Sequence, residues 1–338
     1  MQEAVTAIVA KLASIVGGLL SLGERLSPVY LAVTVAIAFF VWLGVRAQTG
    51  KGFFAWLFPR DVYLHASHMV DLKVFVFGRV LSSFGLVGRL ALSTTVSAAT
   101  IGLLAGMFGA TQQGADLTGL QIAALTLTFA AVADFSTYWI HRLHHENSVL
   151  WPFHSVHHSA EVLTPVTLYR KHPVYDLLGS LLRGLLVGIT TGIVLYAFFG
   201  KVNVFVIGGA NLVYCAFNFV GANLRHSHVW LSYGPVLERL FISPAQHQIH
   251  HSRAVRHRDR NYGEVFALWD WMFGTLYVPQ GRETLEIGLA DAEGNALPQP
   301  HGSLRAAMLV PFADSFAALR RVFRGRRGDA PVAAEKSA

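Results

Sequence analysis

The sequence predicts an all-α fold: a polytopic membrane protein of about four to six helical spans, with a helical cytoplasmic cap holding a histidine-rich dimetal site. Three observations predict it. Of 338 residues, 53% are hydrophobic and only 14% charged, where a soluble domain carries about a quarter charged. The apolar residues fall in long runs, raising the mean hydropathy to +0.44. Histidines gather at the ends of those runs, six of the sixteen lying between Asp134 and His158.

Ala4 to Leu22 is apolar but broken by Lys11, and reads either as a span or as a surface-lying helix. With no basic n-region it does not read as a cleaved signal peptide. Ser27-Pro28 can open the next helix, and Tyr30 to Val45 forms a span. The stretch from Arg46 to Lys73 is polar and aromatic. Its Phe53, Phe54, Trp56 and Phe58, beside Lys51 and Arg60, have the composition of an interfacial belt. His65, His68 and Asp71 read there as part of a solvated surface segment.

Leu86 to Ala110 is the next span, with Arg89 near its start, and Thr118 to Ile140 crosses back to deliver His141. Leu177 to Phe199 and Val202 to Leu224 form a two-span hairpin (177–224) joined at Gly200-Lys201. Arg183 is tolerable at headgroup depth. Beyond Arg225 the chain is polar apart from FALWDWMFGTLYV. Its basic end, RRVFRGRRGDA followed by PVAAEKSA, reads as disordered and membrane-facing. Three regions result: N-terminal membrane helices (1–140), a histidine-rich catalytic region (141–280) and a C-terminal cytoplasmic segment (281–338).

Two spans separate the second and third histidine clusters, so all clusters fall on one side of the membrane. The loops on that side carry most of the Lys and Arg, which places the histidines in the cytoplasm. The net charge of +7 therefore reads as membrane-orienting, with no nucleic acid implied. Cys215 is the only cysteine, which excludes intramolecular disulfides, iron–sulfur clusters and CxxC redox motifs.

His141 and His145 stand four apart and share one helical face. His154, His157 and His158 repeat the logic as HxxHH, and His247, His250 and His251 do so again. Neutral imidazole suits iron, zinc and copper. A catalytic zinc takes about three protein ligands and a structural zinc about four, so eight histidines suit two metals. The HExxH motif of zinc proteases and the Glu-x-x-His pairs of soluble di-iron bundles are both missing from the sequence. A nearly all-histidine pair of irons, with open positions for dioxygen, is the remaining good fit.

HRLHHENSVLWPFHSVHHS resembles the first two histidine boxes of the sterol desaturase/fatty acid hydroxylase superfamily. SPAQHQIHHS, with DRNYGEVFALWDWMFGT beyond it, is similar to the third box and the segment that follows. The resemblance covers roughly residues 120 to 280. It implies a membrane-bound non-haem di-iron enzyme that hydroxylates or desaturates a lipid (a sterol or fatty acyl chain) with dioxygen and electrons from an external donor protein. It also carries the ligand role onto the eight histidines above and adds His172, in RKHP, and His226. His144 and His228 are read as neighbours of ligands, and His257 and His301 as solvated.

Asp134 lies in an apolar run, where acids usually face a partner. It either orients a ligand histidine, most plausibly from the third cluster, or is an interfacial residue near a helix end. Asn218 and Asn223 have a similar double reading, site donors or helix-packing polars. The aromatic set Trp269, Trp271, Phe273 and Tyr277 reads as packing the cap onto the membrane surface. Two rival functions remain at this point, a zinc-dependent membrane hydrolase or isomerase and a metal transporter. A transporter should place its ligands near the bilayer midplane, and these clusters sit at or beyond the span ends.

Overall fold

The computed structural model describes residues 24–83, 92–109, 117–198 and 204–325. The readings of Ala4–Leu22, Arg89, the connector at 111–116, Gly200-Lys201 and the tail beyond Gly325 lie outside them. Among the described residues the regular backbone is helical, with only isolated bridges such as Phe241 to Phe266. The main helices are α1 (Pro28–Thr49), α2 (Ala66–Ser83), α3 (Leu92–Phe108), α4 (Gly119–Glu146), α5 (Trp151–His158), α6 (Pro173–Ala197), α7 (Val204–Phe219), α8 (Pro244–His250), α9 (Leu268–Met272) and α10 (Leu304–Gly325). Helices α1, α4 and α6 are long and apolar enough to cross a membrane, and α3 is a shorter apolar helix. The chain is by these features an integral membrane protein.

Local chemistry sets the boundaries. Pro28 sits in the first turn of α1, and Gly50 ends the helix in the left-handed region at φ 62. Thr118 and Gln121 close a capping box at the start of α4. The 28 residues of α4 extend about 42 Å, beyond the hydrocarbon core of about 30 Å. The excess falls at the C-terminal end, where the first histidines stand. Helix α7 ends before Leu224, the end expected for the Val202–Leu224 span. It stops at Phe219, and Gly221 turns the chain at φ 95 into a 3-10 segment, Ala222–His226.

Helices α3 and α6 meet backbone to backbone along Gly184, Gly188 and Gly192. A Cβ at Gly188 would lie 2.7 Å from Val96 Cβ, and one at Gly192 2.5 Å from Thr100 Cβ. Small residues at four-residue spacing permit this approach where lipid offers no hydrophobic drive for helix association. Leu125 and Phe129 of α4 pack with Val194 of α6. A separate cluster joins Val70 and Val74 of α2 to Val156 of α5 and Ala307 of α10, so the second histidine box is braced from outside.

Several surface readings are corrected. His68 and Asp71 are buried, with Asp71 fully enclosed and paired with Arg170 at 2.9 Å. Arg170 also donates from Nε to the Val156 carbonyl and from Nη2 to Ser159 Oγ, both at 2.8 Å. A buried charge needs such partners, and these came from segments far apart in sequence. His257 and His301 are buried as well. Arg320, Arg321 and Arg324 belong to α10 rather than to a disordered tail. The apolar residues of α10 recur at helical spacing, and Ala307 and Ala318 are buried along it.

Candidate metal centre

Helix α4 presents His141 and His145 on its last turns. Asn147 then redirects the chain, its Oδ1 accepting from Val149 N at 2.9 Å and Leu150 N at 3.2 Å. Helix α5 follows with Pro152 in its first turn and carries His154, His157 and His158. Ser243 and Gln246 close a capping box on α8, again with proline in the first turn. His247 and His250 lie on that helix and His251 at its end. His226 comes from the 3-10 segment after α7.

These segments bring nine of the ten expected histidines into two adjoining groups. His141, His145, His154, His158 and His250 form one; His157, His226, His247 and His251 form the other. Within each group one nitrogen atom per residue lies within 4.8 Å of all the others. His158 Nε2 faces the Nε2 atoms of His145, His154 and His250 at 3.1, 3.2 and 3.1 Å. His226 Nε2 faces those of His157, His247 and His251 at 3.2, 3.0 and 3.2 Å.

This convergence fits a cation at each centre. An imidazole nitrogen offers either one proton or one lone pair, so His158 Nε2 cannot satisfy three facing nitrogens by hydrogen bonding. A metal–nitrogen bond of about 2.1 Å separates ligands at right angles by about 3.0 Å, the spacing observed. Burial, the largest cause, pushes His154, His157, His158, His226, His247, His250 and His251 well below the ordinary imidazole value. They are neutral, as ligands must be.

The outward nitrogens are held by one short stretch. His141 Nδ1 donates to the Tyr262 carbonyl and His250 Nδ1 to the Arg260 carbonyl, both at 2.7 Å. A carbonyl only accepts, so the proton is on Nδ1 and the Nε2 lone pair points into the cluster. Asp259 Oδ1 lies 3.7 Å from His145 Nδ1. Asp259 and Asn261 occupy the left-handed region at φ 58 and 57. Asn261 is fixed by Tyr277 N donating to Oδ1 at 2.7 Å and by Nδ2 donating to the Gln246 carbonyl at 3.2 Å. Asp270 accepts from Tyr262 N and Gly263 N, both at 2.8 Å. The sequence reading passed over these residues, although NYG and WD were the signal.

Two expected site residues are placed elsewhere. His172 belongs to neither group: Nδ1 accepts from Val174 N at 3.2 Å, capping α6, and Nε2 meets the Met308 carbonyl at 3.2 Å. Among the described residues Asp134 bonds no histidine. Its carboxylate accepts from Val265 N at 2.9 Å, Phe266 N at 3.0 Å and Trp269 Nε1 at 2.9 Å. It thereby ties α4 to the stretch that follows Tyr262. Trp269 is thus part of that tie, and Phe273 stacks on Tyr138 at 5.5 Å; Trp271 remains exposed. His144 turns away, bonding the Ile140 carbonyl through Nδ1 at 2.7 Å. Asn223 bonds the Arg25 carbonyl at 2.7 Å.

Residues 126–275 match the family model described as fatty acid hydroxylase. That stretch holds every histidine of both groups. Over those residues the chain is similar to the sterol desaturase/fatty acid hydroxylase superfamily. It is similar to the ornithine lipid hydroxylase OlsE of Rhizobium tropici, 34% identical over 47% of this chain and 43% of that one. It is also similar to human alkylglycerol monooxygenase, 32% identical over 42% of this chain and 28% of that one. A Delta(7)-sterol 5(6)-desaturase of Aspergillus fumigatus is 29% identical over 52% of this chain and 58% of that one. The similarity thus spans less than half the length of the first two relatives. No solved structure matches the chain.

Proposed function

We propose that the protein is an oxygen-dependent lipid oxidase that holds two non-haem irons. One iron would be held by His141, His145, His154, His158 and His250, the other by His157, His226, His247 and His251. The observation that carries this reading is the pair of buried, adjoining groups of neutral imidazoles. Five histidines exceed what a single zinc takes, four exceed what a catalytic zinc takes, and imidazole suits iron. The named relatives act on lipids as hydroxylase, monooxygenase and desaturase. When bound, the irons supply the activation of dioxygen for oxidising an unactivated C–H bond of a sterol, acyl chain or other membrane lipid.

The chain's own contribution is orientation. The Tyr262 and Arg260 carbonyls keep the His141 and His250 protons on Nδ1, so that both rings present a lone pair inward. Asp270 and Asn261 hold those carbonyls in place. Hydroxylation puts one oxygen atom into the C–H bond and reduces the other to water, which takes two further electrons and two protons. These come from an external reductant, and the basic loops suit an acidic soluble donor protein. The same basic loops support a cytoplasmic histidine cap.

The test is purification of the full chain in detergent under reducing, iron-replete conditions. About two irons per chain are expected, with oxygen uptake matched by an oxidised lipid once reductant is added. Turnover with one metal ion or none overturns the reading.

A further inference from the structure

We propose that the chamber beside the histidine clusters receives the polar end of the lipid, and that this end is zwitterionic. Its anion would lie at Lys171 and Arg183 and its cation at Asp176. The proposal rests on the lipid-oxidation reading above and goes on to name the class of substrate.

The chamber has a volume of about 800 Å³ and lies among α2, α4, α7, the start of α6 and residues 264–266. For a cavity beside membrane helices its wall is unusually charged, with cations and carboxylates in equal number, four of each. Most of these charges already have partners. Arg79 Nη1 bonds Glu24 at 2.7 Å, with the Tyr169 hydroxyl on the same carboxylate at 3.1 Å. Arg25 bonds Glu264 at 2.7 Å, and the Tyr214 hydroxyl joins them. Asp134 is saturated by its three donors.

Lys171, Asp176 and Arg183 differ. Among the described residues no carboxylate pairs with Lys171, whose ammonium lies 5.7 Å from the centre of the Tyr175 ring. The Asp176 carboxylate has no hydrogen-bond or ion-pair partner there either. Arg183, partly open to the surroundings, has among the described residues the Thr137 hydroxyl as its hydrogen-bond partner, at 2.6 Å. Charged groups in a cavity wall that lack a close protein partner are open to a ligand. One carboxylate and two cations without close partners, with Lys171 near enough to Asp176 to act on it electrostatically, suit a ligand that carries both signs.

One aromatic ring, Tyr175, separates the chamber wall at Lys171 from the histidines. Tyr175 stacks on His154 with ring centres 4.7 Å apart and lies 4.6 Å from His144. Lys171 is therefore one aromatic ring away from a cluster histidine. A lipid whose polar end occupies the chamber brings the carbons next to that end toward the metals, so oxidation falls near the headgroup rather than at the chain terminus.

The test uses the full chain in an uncharged detergent and four probes. Three are single-chain lipids of one chain length: lysophosphatidylethanolamine, monoacylglycerol and lysophosphatidic acid. The fourth is glycerophosphoethanolamine, the soluble headgroup alone. Calorimetric titration should show the zwitterionic lipid binding at least about tenfold more tightly than the other three, a difference of about 1.4 kcal/mol. Lys171→Met and Asp176→Asn should each cut that preference about tenfold, and Lys171→Arg should restore it, with iron content and melting temperature unchanged. Equal binding of the zwitterionic and uncharged lipids, or a preference that survives both neutralising variants, overturns the proposal. Equally tight binding of the soluble headgroup also overturns it, by assigning the chamber to a soluble zwitterion. If Lys171→Met fails to fold, Asp176→Asn decides alone. Oxidation of an uncharged lipid sinks the chamber assignment and leaves the oxidase reading. A zwitterion preference in a chain that takes no iron does the reverse.

Discussion

Asn261 should govern metal retention without touching a metal. It holds φ 57, and the carbonyls on either side of it, Arg260 and Tyr262, accept from His250 and His141. Asn261→Ala removes both side-chain bonds, at 2.7 and 3.2 Å. It leaves the Tyr277 N–H without a partner and takes one donor from the Gln246 carbonyl, at about 1 kcal/mol each. Alanine also resists the left-handed region by about 1–2 kcal/mol, a cost glycine avoids. Asn261→Ala should thus lose about 3–4 kcal/mol and Asn261→Gly about 2 kcal/mol. Once the carbonyls drift, the outward protons of His141 and His250 lose their acceptors, and metal affinity should fall about 10–100-fold. Iron retained against graded chelator, measured with the melting temperature for wild type and both variants, is the assay. Lowered melting temperatures with wild-type iron affinity would show that Asn261 braces the fold alone and does not set the ligand rings.

His157→Ala and His250→Ala should each deplete one group of histidines and abolish turnover. His172→Ala should keep its iron and lose a helix cap and the bond to the Met308 carbonyl, about 2 kcal/mol together; metal analysis of the three variants separates these outcomes. Gly192→Val drives a Cβ to within 2.5 Å of Thr100 and should destabilise the α3–α6 contact by about 1–3 kcal/mol, read as a lower melting temperature in detergent. Burial alone would raise the Glu264 carboxyl, but Arg25 and Arg225 beside it hold it down at about 2. Its stabilising contribution is thus complete above the unfolded value of about 4.5 and is lost as pH falls toward 2, up to about 3 kcal/mol. Stability of Glu264→Gln should depend less on pH across that window, and parallel curves would refute the assignment. Cysteines at Glu161 and Glu293, both exposed, should resist an impermeant label applied to intact cells, whereas one at Gln113 should react; the opposite pattern reverses the proposed orientation.

What was legible in the sequence was whatever repeats at helical spacing. The apolar runs announced α1, α4 and α6, and the boxes announced which histidines would face together. What was illegible depends on partners brought close only by folding. Asp134 meets residues 131 to 135 positions away, and no local pattern separates a backbone acceptor from a ligand's partner. Asp71 and Arg170 look solvated one at a time and become a buried pair only together. His172 follows the same rule in reverse: placed just before Pro173 at a helix start, its ring caps the backbone.

The HxxHH spacing itself argues for two centres. At about 100° per residue, i and i+4 differ by about 40°, whereas i+3 points about 60° to the other side of i. One such box can therefore aim two rings at one point and the third at another. The second box sends His154 and His158 to the first group and His157 to the second. The third box does the converse, sending His247 and His251 to the second group and His250 to the first. The two boxes thus exchange their odd members across the interface between the groups. The first box has the same spacing, but its i+3 member, His144, turns away to the Ile140 carbonyl, so His141 and His145 add only to the first. The second group is then one pair and one odd ring, and His226 completes it from a turn with no box spacing of its own. That is why His226 could be reached by family resemblance but not by periodicity. It also means that shifting either HxxHH helix by one residue would misdirect rings at both centres at once, which ties the two sites to a single arrangement of α5 against α8.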